Sequence, residues 1–237
     1  MCHRQKFIFY EMLSPSMAEK QKAVAKQEKV AISKRDPWAL KKWFSVHAPS
    51  YLGGVFIAEV PASEAQMLLM RTLEVSLYDL TKDISHLPIK LRFQIHRVDG
   101  LRASTRFKGL ELTRDYLRSL VRRGTSKVAA VTEVKTKDGW VMRIAVLAVT
   151  THRIGSAQKS AMRKRMIEAL VKKAAEMDIA QFLKEALEGT LAADLFVAGK
   201  KVAPLRKVEL AKIKVLRYPP EEEQVAVKEV AAEAAVS

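Results

Sequence analysis

Arginine and lysine side chains recur along this sequence at spacings that suit contact with phosphate groups. Arg114, Arg118 and Arg122 follow one another at four-residue intervals, which places them along one face of a helix. Like charges at that interval repel by roughly 0.2–0.5 kcal/mol, and a bound polyanion removes the repulsion. A second, uninterrupted basic run occupies residues 163–165. We interpret both groups as phosphate contacts that act through charge and hydrogen bonds.

The predicted phosphate contacts come from several segments and consist of lysines, arginines and one histidine. The full set is Lys34, Arg35, Lys41, Lys42, Arg102, Arg106, Lys108, Arg114, Arg118, Arg122, Arg123, His152, Arg153, Lys159, Arg163, Lys164 and Arg165. The competing interpretation is a solvated basic surface without a ligand. Bases outnumber acids so strongly between residues 151 and 177 that contact with RNA is favoured over it.

The charge of the chain also favours a polyanionic partner. The 237 residues carry a formal net charge of +16, and 49% of them are hydrophobic, which is enough for a real core. The last 17 residues hold five glutamates and one lysine, so their net charge is −4 and the first 220 residues carry +20. A basic body of this size favours nucleic acid, because neutralising phosphates releases counterions.

Motifs for catalysis, cofactors or metals are not recognisable in the sequence. Cys2 is the only cysteine, which excludes a disulfide framework and a thiolate metal cluster. The histidines lack metal-ligand spacing, no phosphate-cradling glycine loop occurs, and no apolar run is long enough to span a membrane. We therefore expect no cofactor, no metal and no enzymatic activity. Two alternatives stay open, namely an RNA-processing or other RNA-binding factor and a protein-interaction module.

Alternating patterns predict a sheet that positions part of these bases. The predicted strands are residues 55–60, 72–77, 89–98, 101–108, 127–136, 140–150 and 207–218. Asp-Gly pairs at residues 99–100 and 138–139 predict tight hairpin turns. The first hairpin would carry five bases on its polar face, which are Lys90, Arg92, Arg102, Arg106 and Lys108. A face of one sign suits phosphate contact better than solvent.

Helical spacing predicts the remaining elements. The predicted helices are a short one from Asp36 that stops before Pro49, one from Thr113 to Arg123, a long one capped by Ser156, and one from Asp178 to Gly189. In the first of these, Leu40, Trp43 and Phe44 share one face. Trp38 and Trp43 are therefore expected in the core, and stacking of either ring on an RNA base is the less favoured alternative.

These elements divide the chain into one folded core and two terminal segments. The expected divisions are residues 1–35 as an extension and flexible basic arm, 36–219 as a single folded core, and 220–237 as a mobile acidic tail. Within the core, residues 36–150 are expected to be β-rich, 151–200 helical and 201–219 a final strand.

Several segments, in order along the chain, resemble one protein family. They are RDPWALKKWFSVHAP at 35–49, TLEVSLYDL at 72–80, FKGLELTRD at 107–115, VKTKDG at 134–139, the basic run from residue 163, and residues 202–219. Together they resemble the archaeal and eukaryotic small-subunit ribosomal proteins of the S-one-e type, also called S-three-A-e. The complete absence of asparagine and the single cysteine resemble thermophilic archaeal members.

The resemblance implies an α+β fold with a β-barrel-like antiparallel core of hairpins and flanking helices. It also implies binding to small-subunit ribosomal RNA on the platform of the subunit, near the messenger exit and the 3′ end of that RNA. The expected partners are this RNA, neighbouring small-subunit proteins and mRNA near the exit. The protein would reside on the cytoplasmic ribosome, without a cofactor, a membrane or a second copy of itself.

Overall fold

The computed structural model describes residue 38 and residues 41–219. The predicted basic arm with Lys34 and Arg35, the helix start at Asp36 and the acidic tail from residue 220 lie outside the described residues. The other predicted contact residues, from Lys41 to Arg165, lie within them.

The described chain begins with seven strands that are interrupted by two short helices, and three consecutive helices and one last strand follow. The strands are β1 Lys42–His47, β2 Phe56–Ala62, β3 Thr72–Ser76, β4 Ile89–Asp99, β5 Arg102–Leu112, β6 Lys127–Lys135, β7 Val141–Thr150 and β8 Leu205–Arg217. The helices are α1 Leu77–Thr81, α2 Arg114–Leu120, α3 Ser156–Glu176, α4 Ile179–Glu188 and α5 Thr190–Lys200. This composition confirms the predicted α+β class.

The described strands form one sheet. Its main path runs in the order β2-β1-β5-β8-β7-β6, while β4 pairs with β5 and β3 pairs with β4 off this path. The pairs are antiparallel except β1 with β5, which are parallel. Among these strands the pairing does not close on itself. The barrel-like form that the resemblance implied is therefore not confirmed.

Strand β5 forks the sheet because β1 and β8 share one of its edges. Residues 102–104 pair with β1, whereas residues 109–111 pair with β8. Between them, the N–H of Phe107 donates to the hydroxyl of Tyr51 at 3.0 Å, and the hydroxyl of Tyr218 donates to the carbonyl of Phe107 at 3.4 Å. Buried backbone groups need such partners. Two tyrosines thus take the place of a neighbouring strand at the fork.

Two hydrophobic cores lie on the two sides of this fork. The larger packs the sheet against α3, α4 and α5, and the smaller lies beneath β1, β2 and the first half of β5. In α3 every fourth residue is buried, namely Met162, Met166, Leu170 and Ala174, as the helical spacing predicts. Full burial of a Met or Leu side chain contributes about 1.5–3 kcal/mol, so this stripe fixes the helix on the sheet.

Strand β1 lies where the sequence predicted part of a helix, so that prediction is wrong for residues 42–47. Phe44 and Val46 are buried, whereas Trp43 is 58% exposed and Trp38 is 63% exposed. The expected core position of both tryptophans is therefore also wrong. The apolar residues at 43, 44 and 46 fit either a helix or a strand, and pairing with β2 and β5 decides between them.

The glycines predicted the positions of the turns correctly, whereas the capping residues predicted the ends of the helices less accurately. Gly100 and Gly139 adopt positive φ in the two predicted hairpin turns, and Gly189 does so at the end of α4. Helix α2, however, ends at Leu120 rather than Arg123, because β-branched Val121 is already extended. The arginines at 122 and 123 thus lie in the loop that precedes β6.

Two predicted helix caps are replaced by other contacts. The N-cap of α3 is Gly155 instead of Ser156, and its N–H donates to Oε1 of Gln158 at 3.2 Å. The side chain of Asp178 makes no cap hydrogen bond to α4. Instead, Oδ2 of Asp138 accepts from the N–H of Ile179 at 2.9 Å, so the β6–β7 turn caps this helix. A side-chain oxygen that accepts a hydrogen bond from a first-turn N–H caps the helix wherever its residue lies in the sequence.

Candidate RNA-binding surface

Three connections meet at one end of the sheet. The N–H of Thr150 donates to the carbonyl of Ser126 at 3.1 Å, and the N–H of Ile154 donates to Oγ of Ser126 at 3.2 Å. The N–H of Thr151 donates to the carbonyl of Pro204 at 3.2 Å. These bonds tie the α2–β6 loop, the β7–α3 loop and the α5–β8 loop together. We call residues 118–127, 150–165 and 200–206, which surround this junction, the basic end.

The sequence of the basic end contains no acidic residue. The acids nearest in sequence are Asp115, Glu133, Glu168, Asp194 and Glu209, and each lies outside its three segments. The exposed cations are Arg118, Arg122, Arg123, Lys127, Arg153, Arg163, Lys164, Arg165, Lys200, Lys201 and Arg206, to which exposed His152 and half-buried Lys159 are added. A surface of positive charge that is formed by three converging segments is typical of proteins that bind nucleic acid.

The positive charges of the basic end are not neutralised by acidic residues of the described chain. None of them forms an ion pair with a described acid, whereas Lys207, next in sequence, pairs with Glu209 at 2.9 Å. Arg163 is held in place differently, because its Nε donates to the carbonyl of Ala129 on β6 at 3.2 Å. That bond positions the guanidinium, and because the side chain is exposed its other N–H groups are available to phosphate oxygens.

The outer face of β4, β5 and β8 is mixed in sign, unlike the one-signed face predicted for the first hairpin. Nε of Arg92 lies 2.8 Å from Oε1 of Glu74, and its Nη2 lies 3.1 Å from Oε2 of Glu111. Lys212 also pairs with Glu111, at 3.1 Å. Exposed pairs of this kind contribute little energy, but they satisfy Arg92 and make it a poor phosphate contact.

Lys108 on the same face lacks an acidic partner among the described residues. It is the extra residue of a bulge in β5, and its Nζ donates to Oγ1 of Thr72 at 3.0 Å. Burial, and then the positive charges of Arg106, Lys214 and Arg92, lower the pKa of Lys108. The surrounding positive potential that lowers this pKa would attract a phosphate.

Arg102 and Arg106 line a cleft whose wall shares no residue with the basic end. The guanidinium of Arg106 lies 3.9 Å from the ring centre of Tyr218, and its Nη2 donates to Oε1 of Gln94 at 3.2 Å. Arg102 is exposed. These two predicted contacts therefore belong to a different surface from the residues of α3.

The remaining predicted contacts are spread over further parts of the surface. Nζ of Lys41 lies 3.5 Å from the ring centre of Trp38, a cation–π contact, and Lys42 is exposed at the start of β1. Arg114 is exposed in the first turn of α2. The structure thus brings nine of the predicted residues together in the basic end, namely Arg118, Arg122, Arg123, His152, Arg153, Lys159, Arg163, Lys164 and Arg165.

Four cations of the basic end were missed by the sequence analysis. They are Lys127, Lys200, Lys201 and Arg206. The signal for the last three was present, since no acid occurs between Asp194 and Glu209. What the sequence did not reveal is that the α5–β8 loop lies beside the β7–α3 loop, because the Thr151–Pro204 contact joins residues 53 positions apart.

In the part of the chain that is described, no group of three or more histidine, cysteine, aspartate or glutamate side chains is placed to hold a metal ion. The same residues include no helix with the length and apolar character needed to cross a bilayer.

Comparison with known proteins identifies the family. A model of the Ribosomal S3Ae family matches residues 27–219. The chain belongs to the ribosomal S3Ae family. The match to this family includes all three segments of the basic end and all seventeen predicted contact residues.

Relatives in the ribosomal S3Ae family are similar along most of the chain. A protein of Pyrobaculum calidifontis named small ribosomal subunit protein eS1 is 85% identical over 221 residues, which cover 93% of this chain and 100% of the relative. A protein of the same name from Desulfurococcus amylolyticus is 40% identical over 203 residues, covering 86% and 91%. One from Sulfurisphaera tokodaii is 45% identical over 185 residues, covering 78% and 96%.

Proposed function

We propose that this chain is a structural constituent of the small ribosomal subunit, where it binds ribosomal RNA and supports translation without catalysing a reaction. The observation that carries the proposal is the convergence of three acid-free segments into the basic end. Membership of the ribosomal S3Ae family and the names of the relatives support the same conclusion.

The proposed mode of binding is the docking of a preformed surface on the RNA backbone. Hydrogen bonds at Ser126, Thr150 and Pro204 hold the three loops in one arrangement before RNA arrives. Less conformational entropy is then lost when the cations meet phosphates. Structured RNA offers phosphates and 2′-hydroxyls in a fixed shape. Most of the affinity is expected to come from counterion release, and the specificity from the match in shape.

The finer placement of the protein follows from the resemblance seen in the sequence. We place it on the platform of the small subunit, near the messenger exit and the 3′ end of the ribosomal RNA. Its proposed neighbours are this RNA, other small-subunit proteins and mRNA close to the exit. It acts there as a single copy on the cytoplasmic ribosome, not as a homo-oligomer.

Sedimentation of cell extracts tests the proposal. The protein is expected to run with small subunits in a sucrose gradient and to stay with them at high salt, because RNA surrounds an integral component. A variant with Ala at residues 163–165 is expected to dissociate at lower salt than the wild type. A protein that runs as a free monomer at low salt would contradict the proposal.

A further inference from the structure

A cleft outside the basic end combines arginines with aromatic and imidazole rings. It has a volume of about 680 Å³ and lies beside the turn after β1 and the first half of β5, where its wall includes His47, His96, Arg102 and Arg106. That volume falls within the range of about 300–1,000 Å³ typical of pockets for small ligands. The size of the cleft therefore suits a compact group rather than a broad surface.

The imidazole of His47 lines the cleft, and the ring of Phe56, which is not part of the lining, lies beside it at the margin. Phe56 packs edge-on against the imidazole of His47, with ring centres 5.9 Å apart and planes inclined by 71°. Phe56 is also 50% exposed, so much of its ring faces solvent. The register pairs His47 with Phe56 on one side and with Ser104 of the arginine-bearing strand on the other. Exposed rings beside arginines are the combination that binds unstacked bases.

Polar atoms in the wall of the cleft lack partners. Nδ1 of His47 is buried and makes no hydrogen bond with another described residue, and the same is true of Nε of Arg106. Arg102 makes no ion pair with a described acid, and its cross-strand neighbour Asp99, which also lines the cleft, is paired with Nε of Arg97 at 3.0 Å. Buried polar groups in folded proteins are nearly always hydrogen-bonded. A ligand in the cleft would meet the exposed guanidinium of Arg102 directly and would reach these two buried atoms only if their side chains moved.

We propose that this cleft binds one splayed nucleotide of single-stranded RNA, with its phosphate on Arg102 and its base against His47 and Phe56. The proposal rests on the proposed function and specifies which form of RNA binds at this second site. A duplex keeps its bases inside the helix, so only an unstacked nucleotide enters a concave site. An acidic peptide would satisfy the arginines but would leave the rings of His47 and Phe56 unused.

Fluorescence anisotropy with the full chain tests the proposal, with a labelled single-stranded hexanucleotide and a duplex of about 16 base pairs as probes. Arg102→Ala and Phe56→Ala are each expected to weaken hexanucleotide binding about tenfold, as loss of a stacked base or its phosphate does, and to leave duplex binding unchanged. Lys184→Ala and Ile84→Ala, which remove an exposed cation and an exposed apolar side chain elsewhere, serve as matched controls.

The outcomes separate this proposal from the proposed function. Unchanged hexanucleotide affinity in both cleft variants, with duplex affinity lost on substitution of residues 163–165, would overturn the cleft proposal and leave the proposed function in place. If no variant loses affinity for the hexanucleotide or for the duplex, both the cleft proposal and the proposed function are overturned. Displacement of the hexanucleotide by a glutamate hexapeptide, dependent on Arg102, would assign the cleft to an acidic peptide instead.

A photo-crosslinking experiment supplies a second readout that does not depend on substitutions. A hexanucleotide with 4-thiouridine is expected to crosslink to peptides containing residues 41–56 or 96–106. Crosslinks confined to the segments of the basic end would contradict binding in the cleft.

Discussion

Ser126 and Thr150 are hydrogen-bonded to each other in the interior and so join two basic loops. The N–H of Ser126 donates to Oγ1 of Thr150 at 3.0 Å, and the N–H of Thr150 donates to the carbonyl of Ser126 at 3.1 Å. Ser126 is 6% exposed and Thr150 is fully buried. Arg122 and Arg123 precede this pair, and Arg153 follows it. The geometry of the basic end thus depends on two small uncharged side chains.

Thr150→Val is expected to destabilise the protein, because it keeps the shape of the side chain and leaves the buried N–H of Ser126 without an acceptor. An unsatisfied buried donor costs about 1–3 kcal/mol in the free energy of unfolding. Chemical denaturation measures this change. Thr132→Val is the control, since the hydroxyl of Thr132 makes only an exposed contact at 3.4 Å. Equal stability of the two variants would contradict the role given to Thr150.

Replacement of Arg163, Lys164 and Arg165 by Ala is expected to flatten the salt dependence of RNA binding. Each lost phosphate contact reduces the slope of log affinity against log salt by about 0.7–0.9. Filter binding at several salt concentrations gives the slope. The control replaces three cations that the structure shows in ion pairs, Lys137, Arg143 and Lys184, by Ala. The same loss of slope in the control would mean that net charge alone determines binding.

Replacement of Lys200, Lys201 and Arg206 by Ala is expected to weaken RNA binding as well, although the sequence analysis did not select these residues. Their loop lies beside the β7–α3 loop through the Thr151–Pro204 contact, so they meet the same RNA. The loss of affinity should be similar at every RNA sequence, because phosphates carry no sequence information. Unchanged affinity in this variant would restrict the surface to the other two loops.

Tyr51→Phe is expected to destabilise the fork of the sheet, because the N–H of Phe107 loses its acceptor. The cost is again about 1–3 kcal/mol in the free energy of unfolding. Tyr78→Phe is a suitable control, since the ring of Tyr78 is half-buried and its contact with Lys82 needs only the ring. Thermal denaturation of both variants checks the prediction. A larger loss in Tyr78→Phe would argue against it.

The protonated side chains of Lys108 and Lys207 are expected to have opposite effects on the stability of the fold. Folding lowers the pKa of Lys108, mainly through burial. The protonated side chain therefore destabilises the fold at pH values below the folded pKa. This destabilisation decreases as the pH rises toward 10.5, the ordinary pKa of lysine. Hydrogen bonds with Tyr116 and then Glu209 raise the pKa of Lys207, so its charge stabilises the fold below 10.5, and the gain is lost as pH rises through the folded pKa.

Lys108→Met is therefore expected to raise the melting temperature at neutral pH, and Lys207→Met to lower it. The difference between the two variants should narrow in alkaline buffer, where both lysines lose their protons. Calorimetry at several pH values measures these shifts. Melting temperatures that move in the same direction would contradict the opposite environments of the two side chains.

The sequence predicted the elements that local patterns determine. The long alternation of β4, the Asp-Gly hairpins and the four-residue spacing of buried methionines in α3 are all present. It failed at β1, where the apolar residues fit two periodicities and only pairing with distant strands decides. The basic end could be predicted in part, because acid-free runs are visible in the sequence, but their convergence depends on long-range hydrogen bonds.

Crosslinking within the assembled particle tests the central claim most directly. Small subunits are purified and irradiated with ultraviolet light, and the peptides of this chain that carry RNA adducts are identified by mass spectrometry. The expected adducts fall on residues 118–127, 150–165 and 200–206, the three segments of the basic end. Adducts absent from all three segments, in subunits that contain the protein, would contradict the claim that this surface holds the RNA.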